Sequence, residues 1–183
     1  MTYPTRPTLM DGDLRLRGPL EGDVAARVAL GNPPEIIHLF GGDPASVRPI
    51  AQKQAAGWVE ADGLEPLARV IELSGAMIGG LRLHSVNEHA RKASYAIGIL
   101  DPQRLNKGLE TRATWLVLEY AFNTLGLNRL SIRMLAFNKR AIACYRKVGF
   151  VVEGCGREAA LIGDEWFDEV MMGLLARDWR ASA

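Results

Sequence analysis

The spacing of apolar positions changes several times along the chain, and each change marks an element. From Asp13 to Arg17 polar and apolar residues alternate, as in a half-buried strand. Between Pro19 and Leu30 the spacing lengthens. Leu20, Val24 and Val28 recur at helical intervals and Pro19 suits a first turn, so a helix is predicted there. Gly31, Asn32, Pro33 and Pro34 break it. Glu35 to Gly42 fits neither period. Pro44 to Asp62 reads as a second helical region stopped by Gly63. Leu67–Leu73, Ala76–Val86 and Lys92–Leu100 read as three successive strands, turned at Ser74-Gly75 and at Asn87–Arg91. A long helix is predicted from about Lys107 to Leu125, with Leu109, Ala113, Leu116, Val117 and Tyr120 on one face and Gly126 as its stop. Leu130, Ile132, Met134 and Ala136 then alternate as a strand. Asn138 can cap a further helix whose apolar face holds Ala141, Ile142, Tyr145 and Val148. Phe150 to Leu174 reads as a hairpin turned at Gly163-Asp164.

That order is strand, helices, three strands, helix, strand, helix, two strands. Hairpin-linked strands with helices inserted predict an α+β fold with a mixed, mostly antiparallel sheet. At 183 residues the chain has room for one domain, read as 1–183, and too little for two of ordinary size. Hydrophobic residues make up 48%, enough for a substantial core. The formal charge of +1 implies no polyanion-binding surface, so no nucleic-acid partner is expected. The first residues lack the apolar core of a secretory leader, and no apolar run approaches membrane-spanning length. A cytoplasmic location without membrane attachment is the expectation. Two cysteines, Cys144 and Cys155, neither suggest a disulfide framework nor suffice for a zinc site, and no metal is expected.

The chemistry concentrates in two segments. Asp101 to Phe122 is a strand end, a polar loop and the start of a helix. A loop that opens a helix offers free backbone N–H groups and the positive end of the helix dipole, which together hold phosphate without a particular side chain. Asn138 to Phe150, NKRAIACYRKVGF, is a short helix stopped by Gly149. Together these resemble the coenzyme A-binding centre of the GNAT N-acetyltransferases, in the ribosomal-protein N-acetyltransferase-like branch. The likeness is best from about Ala76 to Trp179 and rests on element order before that. The family loop reads Q/R-x-x-G-x-G/A. Here Leu105, Asn106, Lys107, Gly108, Leu109 and Glu110 stand in it, followed by Thr111. Gly108 matches the first motif glycine. Leu105 replaces the usual Gln/Arg, Asn106 stands where a further glycine is frequent, and Glu110 replaces the small residue.

The resemblance implies a GNAT fold whose sheet splits between two parallel strands, here Ser94–Leu100 and Leu130–Ala136. It implies acetyl-CoA as co-substrate and transfer of its acetyl group to a primary amine of a small molecule or protein N-terminus. Backbone groups at Ile99 and Leu100 would pair with the pantetheine amides, and N–H groups from Asn106 to Thr111 would hold the pyrophosphate. Tyr145 would protonate the leaving thiolate, and Asn138 would contact the cofactor or a water. A carboxylate at Glu110 would lie near the pyrophosphate, where two unit charges ~4 Å apart cost ~1 kcal/mol in water and ~4 kcal/mol at an effective dielectric of 20. Lys107, Arg104 and Arg112 are placed to offset it. Structural readings stand beside these. Tyr145 sits on an apolar helix face, as a packing tyrosine does, and Asn138 is an ordinary N-cap. For the acceptor, His38, His84, Ser94 and Tyr95 are candidates by position, and no general base is identifiable. Two alternatives carry the same fold: a binding or regulatory protein with a degraded acetyl-CoA site, and an acyltransferase using another acyl-CoA donor. The family also makes a homodimer an expected assembly.

Overall fold

A computed structural model describes residues 6–182. A hairpin of β1 (Leu9–Asp11) and β2 (Leu14–Arg17) leads into α1 (Asp23–Leu30), α2 (Pro34–Leu39) and α3 (Gln52–Leu64). A three-strand meander follows, β3 (Ala68–Leu73), β4 (Ala76–Asn87) and β5 (Lys92–Ile99). Then come α4 (Leu109–Glu119), β6 (Arg129–Leu135), α5 (Lys139–Lys147), the hairpin β7 (Val151–Ile162) and β8 (Glu165–Leu175), and α6 (Ala176–Ser182). The strands form one sheet in the order β1-β2-β3-β4-β5-β6-β8-β7. This is the mixed, mostly antiparallel α+β architecture the sequence predicts.

Several boundaries differ from expectation for identifiable reasons. The predicted first strand is the second half of a hairpin turned at Gly12, whose φ of 58° suits glycine. Its partner Leu9–Asp11 is too short to show a period. The Pro44–Asp62 region splits into a 3₁₀ turn at Pro44–Ser46 and α3, which runs through Gly63 to Leu64. Gly63 is a tolerated helical glycine rather than a stop. The long helix begins at Leu109, because Gly108 takes the left-handed conformation just before it. It ends in a π turn, Tyr120–Thr124, that buries Tyr120, Ala121 and Phe122 consecutively. The Glu35–Gly42 stretch contributes α2. Beyond the last strand, Trp179 of α6 packs its ring 5.6 Å from Phe122.

Helices cover both faces of the sheet. Tyr95 of β5 meets Thr114 of α4 on one face. On the other, Trp58 of α3 lies over Gly80 and Phe40, just after α2, lies over Gly98. Gly80 and Gly98 are cross-strand partners on that second face. The first hairpin is tied to α4 by Arg112, which donates to the Asp11 carboxylate at 2.7 Å and to Asp13 at 3.2 Å. A second ionic cluster fixes α1 to the sheet. Arg17 donates to both Asp23 oxygens at 2.8 Å and to Glu72 at 2.6 Å. Both carboxylates are buried, so Glu72 holds the framework together and faces no cleft.

Candidate active site

The site begins with a failure of pairing. β5 and β6 run parallel, but only Lys92–Ser94 pair with Arg129–Ser131. Past that point the strands diverge around a cleft of about 690 Å³, lined by Tyr95–Ile99 on one side and Ile132–Leu135 on the other. Divergence leaves inner-edge backbone groups without a strand partner. On β5 the even residues face β4: Gly98 pairs with Gly80, and Leu100 N–H donates to Ile78 at 2.8 Å. By the alternation of antiparallel bonding, the backbone groups of Tyr95, Ile97 and Ile99 face the gap. Ile99 therefore presents its backbone to the gap. Leu100 does not, contrary to expectation, because its amide is committed to β4.

The loop before α4 exposes its backbone, and Glu110 at the start of that helix lines the cleft. Asn106 and Gly108 both take positive φ, 61° and 74°. Asparagine tolerates the left-handed region, so the glycine frequent at position 106 is replaced without losing the backbone path. A Cβ added to Gly108 would meet nothing within 4 Å, and Asn106, Lys107 and Gly108 line an open surface. The first amides of α4 have no carbonyl one turn earlier to accept them. Thr111 turns its hydroxyl to Cys144 Sγ at 3.2 Å, and Leu109 is buried in the core. Only the backbone of these two is offered to the loop. Arg112 is held by Asp11 and Asp13, so it does not offset charge there as expected. Arg104 is 3.5 Å from Asp101.

Glu110 takes a course the sequence did not indicate. Its side chain turns inward and accepts a hydrogen bond from Tyr145 Oη at 2.8 Å. Burial raises its proton affinity, against the lowering influence of the Tyr145 bond and of Arg140. Tyr145 is 3% exposed, packed edge-on to Tyr95 and Phe150, and burial with the Glu110 charge pushes its pKa well up. Tyr145 thus packs in the core and also lines the cleft. Asn138 does the same. It accepts from Ala141 N–H at 3.1 Å as the α5 cap, is 7% exposed, and lines the cleft. Cys144, also on α5, has its thiol raised to about 11 by burial.

The acceptor candidates separate. His84 pairs with Ser94 across β4 and β5, and Ser94 with Ser131 across β5 and β6, so the three share one face. That face is opposite α4 and α5. Ser94 and Ser131 hydroxyls stand 3.5 Å apart. His84 Nδ1 is 3.1 Å from Ser85 Oγ, and burial and then Arg82 lower its proton affinity. Tyr95, one residue along from Ser94, points to the other face and bonds Thr114 at 3.2 Å. His38 stacks on Phe137 at 4.5 Å and meets Phe167 edge-on, outside the cleft lining. The sequence reading overlooked the residues that surround this face. Phe40 lies so close over Gly98 that a Cβ there would stand 2.5 Å from its ring. Arg129 grips Glu153 with both Nη atoms, and Arg133 donates to Glu169 at 3.1 Å. Ser131 and Arg133 alternate with the apolar residues of β6, but Arg129 and the carboxylate partners on the last hairpin were not read from the sequence.

A split parallel pair with a helix-opening loop at its mouth defines a GNAT-type acyltransferase fold. The sequence matches the acetyltransferase (GNAT) domain family over residues 13–151, and the chain belongs to that family. It is similar to the spermidine N(1)-acetyltransferase of Escherichia coli (strain K12), 33% identical over 112 residues, covering 61% of this chain and 60% of that protein. It is also similar to the [ribosomal protein uS5]-alanine N-acetyltransferase of Escherichia coli (strain K12), 30% identical over 91 residues, covering 50% of this chain and 45% of that protein. The chain thus spans about 60% or less of the length of these curated relatives. In fold it resembles a crystal structure of spermidine N-acetyltransferase from Vibrio cholerae in complex with CoA and spermine. The TM-score is 0.78 at 23% identity, covering 93% of this chain and 99% of that one. Among the described residues no helix is long and apolar enough to cross a membrane.

Proposed function

We propose that this chain transfers the acetyl group of acetyl-CoA to a primary amine, as a single domain. The observation that carries the reading is the cleft itself. Its two walls are the unpaired backbone edges of β5 and β6, and the buried Tyr145 hydroxyl stands in it. Bound acetyl-CoA supplies a thioester; everything else comes from the chain. Amides of Asn106–Thr111 hold the pyrophosphate with the α4 dipole behind them. The edge groups of Ile97 and Ile99 hold the pantetheine arm. An inner-edge N–H of β5 polarises the thioester oxygen. Asn138 fixes the start of α5 and so the position of Tyr145, whose Oη gives a proton to the departing sulfur. His84, held neutral on the acceptor face, takes a proton from the incoming ammonium through solvent.

The acceptor face narrows the amine. A polyamine needs free carboxylates for its several ammonium groups. Here Glu153 and Glu169 are each already partnered by an arginine. Arg133 is 65% exposed and makes one such bond, leaving donors for an anionic or carbonyl group. The arrangement favours an acceptor with one ammonium beside a carboxylate or amide, such as an amino acid or peptide N-terminus. The test is mass-spectrometric detection of acetylated product from acetyl-CoA with spermidine, L-amino acids and short peptides. Amino acids or peptides should exceed spermidine at least tenfold in kcat/KM. A preference for spermidine would overturn the acceptor assignment, and no transfer to any amine would overturn the activity.

A further inference from the structure

We infer that Glu110 is the proton donor behind Tyr145, so that the acid of this site is a Glu110–Tyr145 relay rather than a lone tyrosine. The inference rests on the acetyl-transfer reading above and names a residue for it that nothing else assigns. Glu110 Oε1 and Tyr145 Oη are 2.8 Å apart, in one cleft, on two different helices. The position follows the αL turn at Gly108, which starts α4 and aims the second residue of the helix inward.

The need for a relay comes from what Tyr145 would otherwise become. Ordinary proton affinities are about 10 for tyrosine, about 8.5 for a thiol and about 4.3 for glutamic acid. Transfer from tyrosine to a thiolate is therefore uphill even in water. Here the phenolate would also be buried among Tyr95 and Phe150 and would face the Glu110 carboxylate across one hydrogen bond. Both effects make the lone-tyrosine step worse. With Glu110 protonated, the hydrogen bond reverses: Glu110 O–H donates to Tyr145 Oη, and the tyrosine proton is free to face the cleft. As the sulfur takes that proton, Oη takes the one from Glu110, and no phenolate forms. Negative charge ends on the Glu110 carboxylate.

The groups facing Glu110 support this exchange. From α5 come Tyr145, Cys144 and Arg140, and from β5 comes Tyr95. Arg140 is the cation among them. It lines the same cleft, and its Nε is buried without a hydrogen-bond partner among the described residues. It faces the carboxylate that the relay leaves behind. Burial raises the proton affinity of Glu110, which keeps more of the resting enzyme in the donating form. Protons balance over the cycle. The ammonium first passes one proton through His84 to solvent; then the C–S bond breaks and the C–N bond forms, the nitrogen releases a second proton to solvent as it becomes an amide, the sulfur gains one through Tyr145, and Glu110 recovers one from solvent.

The experiment is the pH dependence of kcat for the full chain, E110Q, Y145F and the double variant, with acetyl-CoA and the fastest acceptor of the panel. The unsubstituted chain should give a bell: activity rises as the amine loses its proton and falls as Glu110 loses its own. The carboxamide introduced by E110Q keeps a hydrogen bond to Tyr145 but passes no proton. E110Q should lose ~10²-fold in kcat, change the KM for acetyl-CoA less than twofold, and lack the descending limb. Adding E110Q to Y145F should cost less than threefold more, because the two act in series. A descending limb retained in E110Q, or a double variant whose losses multiply, would overturn the relay while leaving the acetyl-transfer reading in place. A full chain that acetylates nothing would overturn that reading itself. Melting temperatures within a few degrees of the parent keep a folding defect from imitating either result.

Discussion

One cleft divides into two unlike faces. Towards α4 and α5 it is dry: Tyr145, Tyr95 and Asn138 are each less than 10% exposed, and polar atoms are spent on specific partners such as Glu110, Thr114 and the Ala141 amide. Towards β7 and β8 it is wet, and its charges are long side chains in open ion pairs, with Arg133 65% and Glu169 21% exposed. A group on the dry face has its proton affinity moved by burial and its orientation fixed by packing, which suits it to chemistry. A pair on the wet face is worth about 0–1 kcal/mol and rearranges cheaply, which suits it to choosing a partner. On the proposed reading, reaction belongs to the dry face and recognition to the wet one.

The largest effect that could break this division is at Tyr145. Y145F should lower kcat ~10²–10⁴-fold while acetyl-CoA affinity stays within twofold, since the hydroxyl acts only as the sulfur leaves. Unchanged kcat in steady-state assays would reduce Tyr145 to packing. Thiol reactivity tests the dry face without any substrate. Cys144, raised to about 11, carries about 10⁻³ thiolate at pH 8, whereas Cys155 is exposed. Iodoacetamide should label Cys155 at least ~100-fold faster in the folded chain, with the difference vanishing in denaturant; equal rates by peptide mapping would mean that the dry face is open to water.

On the wet face, R133Q should raise acceptor KM about 5–10-fold, change kcat less than twofold, and shift unfolding free energy by under ~1 kcal/mol. A kcat loss as large as that of Y145F would erase the distinction between faces. The smallest effect is expected at Glu110 on cofactor affinity. A carboxylate facing the pyrophosphate would make E110A bind acetyl-CoA about fivefold tighter at low salt. Because the carboxylate is turned to Tyr145, the dissociation constant should move less than twofold at either ionic strength. A salt-dependent tightening in titrations would place the side chain back at the loop.

Most of the sheet was legible because β2 and β6 alternate and glycine and asparagine punctuate the strands, although β3 is buried along its whole length. Gly108 and the Asn138–Phe150 segment carried the resemblance that implied the cleft, since a helix-opening loop and an N-cap are local devices. What escaped was set by distance in the fold. Nothing in the sequence connects Glu110 with Tyr145, 35 positions on, or Arg133 with Glu169, because such pairs depend on how helices and hairpins meet. The commitment of Leu100 to Ile78 depended on strand parity, which a one-residue change of register reverses. β1 was missed because three residues carry no period. The turning of Arg112 towards Asp11 and Asp13 could be found only once that hairpin was seen.

The central claim is that the gap between β5 and β6, with its loop at 105–111, takes the coenzyme. Titration calorimetry of acetyl-CoA into the full chain and into G108V tests it most directly. Gly108 holds φ 74° with open space where a side chain would stand, so valine both strains the turn and intrudes on the phosphate position. One-to-one binding to the parent and at least tenfold weaker binding to the variant are expected, with melting temperatures within a few degrees. No heat of binding with the parent, or equal affinity in the two forms, would contradict it.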